Sequence, residues 1–542
     1  MGETITSRRA MLRGAGALTV AAAGLTACSS SKPAAAASGG GPGPASSPAG
    51  PVTTTAAAPA STTAGSPGPA DWAALAKDLG GPLIRPGDSR YSDARRLFQP
   101  QYDSLAPSAV AYVDGAHDVA TALAFARKYR LPVAARCGGH SYAGWSSGSG
   151  LVLDVGKLNS VSASSGEAVV GAGARLIDVY TGLADRGVTI PAGSCPTVGV
   201  TGLTLGGGMG VTGRAYGLTC DSLTGAEVVT ADGTVREVSA SSDADLLWAL
   251  RGGGGGNFGV VTSLSFRTHP APECSYAFLS WPWSQAEQVV RSWQAWAPSA
   301  PDAMWADLHL LVWANGQYQL GTTVNYLGSR SELANQIDRL GTAPASVSLH
   351  SASYLDTMQV MGGVSGWSLA ASHLPGTLPG QNPAGRVTRE SYGARSDIFN
   401  RAIDGNGIAA LIAAIERYPR TAPVGGSAGV AFDAMGGAIN RVSRDATAFV
   451  HRSGLFTAQY TANYPDGVTG GTAADRSWSW LDGVWSAMRP YASGEAYQNY
   501  VDPRLTGWEQ AYYGGNAARL QSVKRTYDPA NLFHFPQSIP VG

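Results

Sequence analysis

The sequence predicts an α+β fold in two parts, and three observations carry that expectation. The chain has 542 residues, too many for one ordinary domain. From about Asp71 to Ala271, short Val- and Leu-rich strands alternate with amphipathic helices, and glycine-dense loops join them. Beyond Ala271 longer, tryptophan-bearing strand candidates appear, separated by helices. That pattern fits an antiparallel sheet covered by helices on one face. We therefore expect a leader over residues 1–28, a linker over 29–70, a first domain over 71–271 and a second domain from 272 onward.

The leader SRRAMLRGAGALTVAAAGLTAC carries a twin-arginine pair, Arg8 and Arg9, then an apolar run too short to span a bilayer comfortably. It reads as an export signal of the twin-arginine type. LTAC, Leu25 to Cys28, has the form of a bacterial lipobox, in which Cys28 becomes a lipidated N-terminus and the only membrane attachment; an ordinary signal cleaved nearby is the alternative. Residues 29–70 are Ala, Gly, Pro, Ser and Thr, a tether with nothing to bury. The twin-arginine route exports folded proteins, which suits a chain that must acquire a cofactor before export. Charged residues make up only 14% of the chain and the formal net charge is zero, so no basic footprint for nucleic acid exists. After Cys28 come Cys137, Cys195, Cys220 and Cys274, with no CxxC pair; no metal site is expected, and any disulfide pairing stays open.

Each element has its own signal. AHDVATALAFARKYRLPVAAR places apolar residues at helical spacing and then runs into a strand. LVLDV and EAVVGAGA are short buried strands, and ARLIDVYTGLADRG is a helix ending in glycine. AEVVTADGTVREVS is a hairpin turned by Asp232-Gly233. ADLLWALRGGGGGNFGVVTSLSF gives a helix, a glycine loop and a strand. In the second domain MWADLHLLVW and QYQLGTTVNYLG are strands and SELANQIDRL is a helix; near the end ARLQSVKRTYDPANLF is a helix stopped at Asp528-Pro529.

Three loops stand apart: RCGGHSYAGWSSGSG with the lone His140, SCPTVGVTGLTLGGGMGVTG with Cys195, and GGGGGNFG. The glycine runs fit the dinucleotide fingerprint only loosely, and neither ends in the GK[ST] of a phosphate loop. Plain flexible loops are one reading. A collective reading explains all three: glycines let the backbone approach one extended ligand, and successive N–H groups form a nest for a pyrophosphate.

Four ordered motifs give the chain a resemblance to a known family. RCGGHSYAG, CPTVGVTGLTLGGGMGVTGRAYGLTCDSL, LLWALRGGGGGNFGVVTSLSF and YYGGNAARLQSVKRTYDPANLFHFPQSI resemble the signatures of the berberine-bridge-enzyme-like FAD-linked oxidases, here as a bacterial exported member. The resemblance implies a two-part FAD-binding domain of the vanillyl-alcohol-oxidase (PCMH) type. It also implies a substrate domain over 272–503 and a C-terminal segment, 504–542, that returns to the FAD domain. It implies FAD bound twice: His140 stands where the imidazole bonds the 8α carbon, and Cys195 where sulfur bonds ring carbon six. By position, Arg136, Gly138, Gly139 and Ser141 line the pyrophosphate loop. Thr197, Val198, Gly199, Gly202, Gly207 and Gly208 continue round the cofactor, Val261 lies near the adenine, and Tyr513 and Asn516 approach the flavin.

The chemistry implied is removal of a hydride from an alcohol or hemiacetal carbon while a base takes the hydroxyl proton. In carbohydrate-oxidising relatives the base is a tyrosine in an N-Y motif; AYQNYVDPRL puts Tyr500 there, with Tyr142 facing the substrate. Tyrosine ionises near pH 10 in water, so Tyr500 needs a cationic or hydrogen-bonding neighbour. Val198 occupies the family's oxygen-gate position and goes with molecular oxygen as acceptor and hydrogen peroxide as product. GGAINRVSR, matched to the middle-sheet stretch that bears the ring-closing glutamate in the plant enzyme, has no glutamate, which favours alcohol oxidation of a sugar, oligosaccharide or glycosylated compound. A flavin dehydrogenase acting on a secondary metabolite is the alternative, and an inactive surface-tethered binding protein a third.

Overall fold

A computed structural model describes residues 65–542. The leader, Cys28 and nearly all of the linker lie outside the described residues.

The first domain is built in two parts. A four-stranded sheet runs in the order Leu83–Ile84, Ala109–Tyr112, Leu151–Asp154, Val133–Arg136. The last three strands are parallel, and the helix Ala116–Tyr129 makes the crossover that parallel pairing requires. Val119, Ala122, Leu123 and Ala126 on that helix are buried, the i, i+3, i+4, i+7 spacing of one packed face. The second part is a five-stranded antiparallel sheet, in the order Val161–Ser164, Glu167–Gly171, Val260–Arg267, Leu223–Val229, Val235–Ser239. Its expected hairpin closes with Val229 opposite Val235. Both parts share one apolar core.

The second sheet begins at Cys274 and has seven antiparallel strands. Met304–Trp313 and Ser427–Ala434 pair near its centre. Alternation decides which side each residue serves. Met304, Ala306, Leu308, Leu310 and Val312 join the core beneath the helices Ala286–Trp296, Gly405–Glu416 and Gly471–Met488. Trp305, Asp307 and His309 point the other way, toward the first domain. One strut joins the domains: the buried Arg214 guanidinium donates to the carbonyls of Met304 (2.7 Å), Pro298 (3.0 Å) and Met435.

The C-terminal segment packs on the first domain. Tyr512, Tyr513, Leu520, Val523, Phe533 and Ile539 all belong to that domain's core. Cys137, Cys195, Cys220 and Cys274 are free thiols. Among the described residues no helix is long and apolar enough to cross a membrane.

Candidate functional site

A cavity of about 440 Å³ lies between the first domain and the polar face of the seven-stranded sheet. Its walls come from the His140 loop, the Cys195 loop, the Gly254–Asn257 loop and the C-terminal segment, with Asp307, His309, Asp433 and Gln459 forming the sheet end. Loops and sheet thus line one shared cavity, large enough for a small-molecule ligand.

His140 and Cys195 line this same cavity. The His140 ring stacks on Phe98 with centroids 4.0 Å apart, and its Nε2 lies 3.0 Å from Thr197 Oγ1, two residues beyond Cys195. Cys195 packs against the apolar cluster to which Phe98 belongs. The imidazole and the thiol both border the same cavity. Burial, then the charge of Arg175, pulls the His140 pKa down to about 3, so its ring is neutral at physiological pH and keeps a nucleophilic lone pair.

Tyr500 and Tyr142 stack with centroids 5.6 Å apart, nearly parallel. Gln459 Nε2 donates to the Tyr142 hydroxyl at 2.8 Å. The phenol of Tyr500 is pushed well above its ordinary pKa, first by burial and then by Asp433; the other groups acting on it are Tyr142, Tyr497 and Cys195. None of these is a cation. The cationic or hydrogen-bonding neighbour that Tyr500 was expected to need is not among them; a carboxylate, Asp433, stands in its place. Burial and the charge of Asp307 raise the Asp433 pKa to about 7, against the opposing charge of His309.

Arg136, Gly138, Gly139, Ser141, Val198, Gly199, Gly202, Val261 and Tyr513 also line the cavity. Four predicted contacts do not. Thr197 stands behind His140 as its hydrogen-bond partner. Gly207 and Gly208 form a turn packed on Phe449, Tyr497 and Thr219, with the Gly208 amide donating to the Tyr497 hydroxyl at 2.9 Å. Asn516 faces away too, its amide tying down the carbonyls of Arg444 (2.8 Å) and Thr447 (3.2 Å). Motif position placed these residues near the cavity, but the turn geometry aims them elsewhere. Asp307, His309, Asp433 and Gln459 escaped the sequence reading. The signal was present in MWADLHLLVW, where Asp307 and His309 interrupt an apolar strand at the period that sets both on one face. GGAINRVSR, by contrast, forms a short helix at Ala438–Arg441, and the acid sits just before it on Ser427–Ala434.

The donor set fits a polar, anionic ligand. Arg136 is buried, its Nε bonded to Asp154 at 2.5 Å and its Nη2 to the Ala94 carbonyl at 2.7 Å, while Nη1 has no protein partner. Gln498 Oε1 and Gln537 Oε1 on the cavity wall are likewise unpartnered. Buried polar atoms left this way call for a ligand. At Gly138 a Cβ would come 2.4 Å from the Gly199 amide nitrogen and 2.9 Å from the Thr197 carbonyl oxygen, because two loops cross there with no space between them. Gly138→Ala should therefore push the His140 and Cys195 loops apart; purified protein is expected to show a markedly lower ratio of flavin absorbance to protein absorbance.

Comparison with known proteins follows the same line. The family model for an FAD binding domain matches residues 107–239, and the model named Berberine and berberine like matches 496–540. The chain is 32% identical over 471 residues to the uncharacterized FAD-linked oxidoreductase YgaK of Bacillus subtilis, covering 85% of this chain and 97% of that one. It is 31% identical over 460 residues to chitooligosaccharide oxidase of Gibberella zeae, covering 80% and 87%. The solved structure of BBE-like 1 from Physcomitrella patens superposes with a TM-score of 0.77 at 30% identity, covering 87% of this chain and 99% of that one.

Proposed function

From the premise that the chain belongs to the berberine-bridge-enzyme-like family of FAD-linked oxidoreductases, we propose that it oxidises a CH–OH group of a sugar, oligosaccharide or glycosylated compound, with FAD held covalently by His140 and Cys195 and oxygen as acceptor. One observation carries the reading: the cavity lined by both His140 and Cys195 also holds Asp433, whose charge acts on Tyr500, stacked on Tyr142. The similarity to a chitooligosaccharide oxidase supports the substrate class.

Bound FAD, held by the residues of the cavity, would supply two-electron acceptor chemistry, with molecular oxygen as the final acceptor and hydrogen peroxide as product. The chain supplies everything else. Arg136 and the crossing glycine loops hold the ligand's anionic linker. The neutral His140 imidazole and the Cys195 thiol are the nucleophiles that anchor the ring. Tyr142, fixed by Gln459, and Tyr500 form a flat wall for a sugar face. The hydroxyl proton leaves toward Tyr500 and Asp433, so that loss of one hydride and one proton converts CH–OH to C=O. Apart from His309, already paired with Asp307, no cationic side chain lines the sheet end among the described residues, which favours a neutral substrate over an acidic one. Val198 on the cavity wall fits oxygen as the acceptor. The twin-arginine leader fits delivery outside the cytoplasm, with Cys28 as lipid anchor.

Intact mass and absorbance test the attachment. Denatured protein should retain a yellow chromophore, and His140→Ala and Cys195→Ala should each leave one link. A carbohydrate panel followed by peroxide release tests the reaction. Fast flavin bleaching with very slow return in air would point instead to a dehydrogenase, and a colourless protein to a binding role.

A further inference from the structure

The pairing of Met304–Trp313 with Ser427–Ala434 sets Asp307 directly opposite Asp433. Both carboxylates line the cavity, so the sheet holds two acids side by side on one face. Like charges opposite one another on adjacent strands repel, and away from bulk water two such acids resist ionising together. His309 stands two residues beyond Asp307 on the same face, opposite the small Ala431. Its Nε2 lies 2.9 Å from Asp307 Oδ2, while Asp307 Oδ1 accepts the Thr323 amide at 2.5 Å. Asp307 thus has both oxygens engaged as acceptors, whereas the charge of Asp433 reaches Tyr500.

We propose that Asp307 and His309 form a charge-setting pair, in which Asp307 holds His309 as imidazolium and the imidazolium keeps Asp433 able to take the substrate's hydroxyl proton. This rests on the oxidase reading and adds to it the positioning residue that makes the acid available. The titratable group acting on the pair is Asp433 from the neighbouring strand, and Asp433 in turn acts on Tyr500. Burial works against a charge on His309, but Asp307 and then Asp433 outweigh it and raise its pKa above the usual imidazole value. Without the imidazolium, Asp433 faces Asp307 alone. It then holds its proton to higher pH, and turnover that needs the carboxylate retreats to alkaline solution. Removing Asp307 as well takes away the repelling charge, and the carboxylate recovers.

Two measurements on the full-length, flavin-loaded protein test this. In protein with isotope-labelled histidine, the His309 ring signals, identified by their loss in His309→Gln, should titrate above about 6.5 and fall in Asp433→Asn. Separately, the acid limb of flavin reduction by a carbohydrate substrate should move up by about one pH unit or more in His309→Gln. It should move back in Asp307→Asn/His309→Gln, with flavin content unchanged throughout. A His309 neutral at pH 6.5, or a limb unmoved in His309→Gln, overturns the pair. If no carbohydrate reduces the flavin while His309 titrates as expected, the substrate reading fails and the pair stands.

Discussion

Asp433→Asn should lower the rate of flavin reduction by substrate about 10²–10⁴-fold, the usual worth of a positioned base. The flavin spectrum should be unchanged, because the residues proposed to anchor the ring, His140 and Cys195, lie on other loops of the cavity. The phenol of Tyr500 is buried, with an acid and no cation among the groups acting on it. A tyrosine so placed does not rest as phenolate at neutral pH; it passes a proton on or donates a hydrogen bond. Asp433, whose pKa is raised to about 7 and whose charge acts on Tyr500, is the proposed acceptor. Tyr500→Phe should therefore also slow reduction but keep the acid limb of the pH profile, since the acid that titrates is still there. Asp433→Asn should erase that limb. Stopped-flow bleaching of the flavin across pH 5 to 9 separates the two, and an Asp433→Asn protein that keeps both its rate and its limb would place the base elsewhere.

The second large effect is on stability. Asp528→Ala should destabilise the fold by about 3–5 kcal/mol, the cost of leaving one partner of a buried ion pair uncompensated. Lys524 and Asp528 are both fully buried and meet at 2.7 Å. Lys524 also donates to the carbonyls of Asn257 (2.8 Å) and Phe533 (2.7 Å), and Asp528 accepts the amides of Leu532 (2.7 Å) and Phe533 (2.9 Å). The pair therefore ties the C-terminal segment to the Gly254–Asn257 loop of the cavity wall. Urea unfolding should report the loss as an earlier midpoint. Lys524→Met/Asp528→Leu should recover much of it, because an apolar pair strands no charge; equal midpoints for Asp528→Ala and the parent protein would show that the segment is held by its apolar contacts alone.

Much of this molecule could be read from the chain itself. The period of apolar residues marked the helix Ala116–Tyr129, the hairpin at Asp232-Gly233 and the strands Met304–Trp313 and Tyr318–Tyr326, because those signals are local: side-chain direction follows from residue spacing within one element. Loop chemistry was legible for the same reason, since glycines beside a lone histidine and a Cys-Pro step announce close backbone approach in a short stretch. Which of those loop residues meet the cavity was not. Gly207, Gly208 and Asn516 sit in the right motifs yet turn toward Phe449, Tyr497 and the Thr447 carbonyl. The proposed proton acceptor was hidden for a different reason. Asp433 has no partner within its own stretch of sequence; its character comes from register, which lays it opposite Asp307, and from domain packing, which brings its charge to bear on Tyr500. Composition and periodicity fixed the elements and the chemical groups available, because those depend on neighbours in sequence. Tertiary structure alone decided which groups share a field, because the pKa of a buried acid is set by charges a few ångströms away, whatever their distance along the chain.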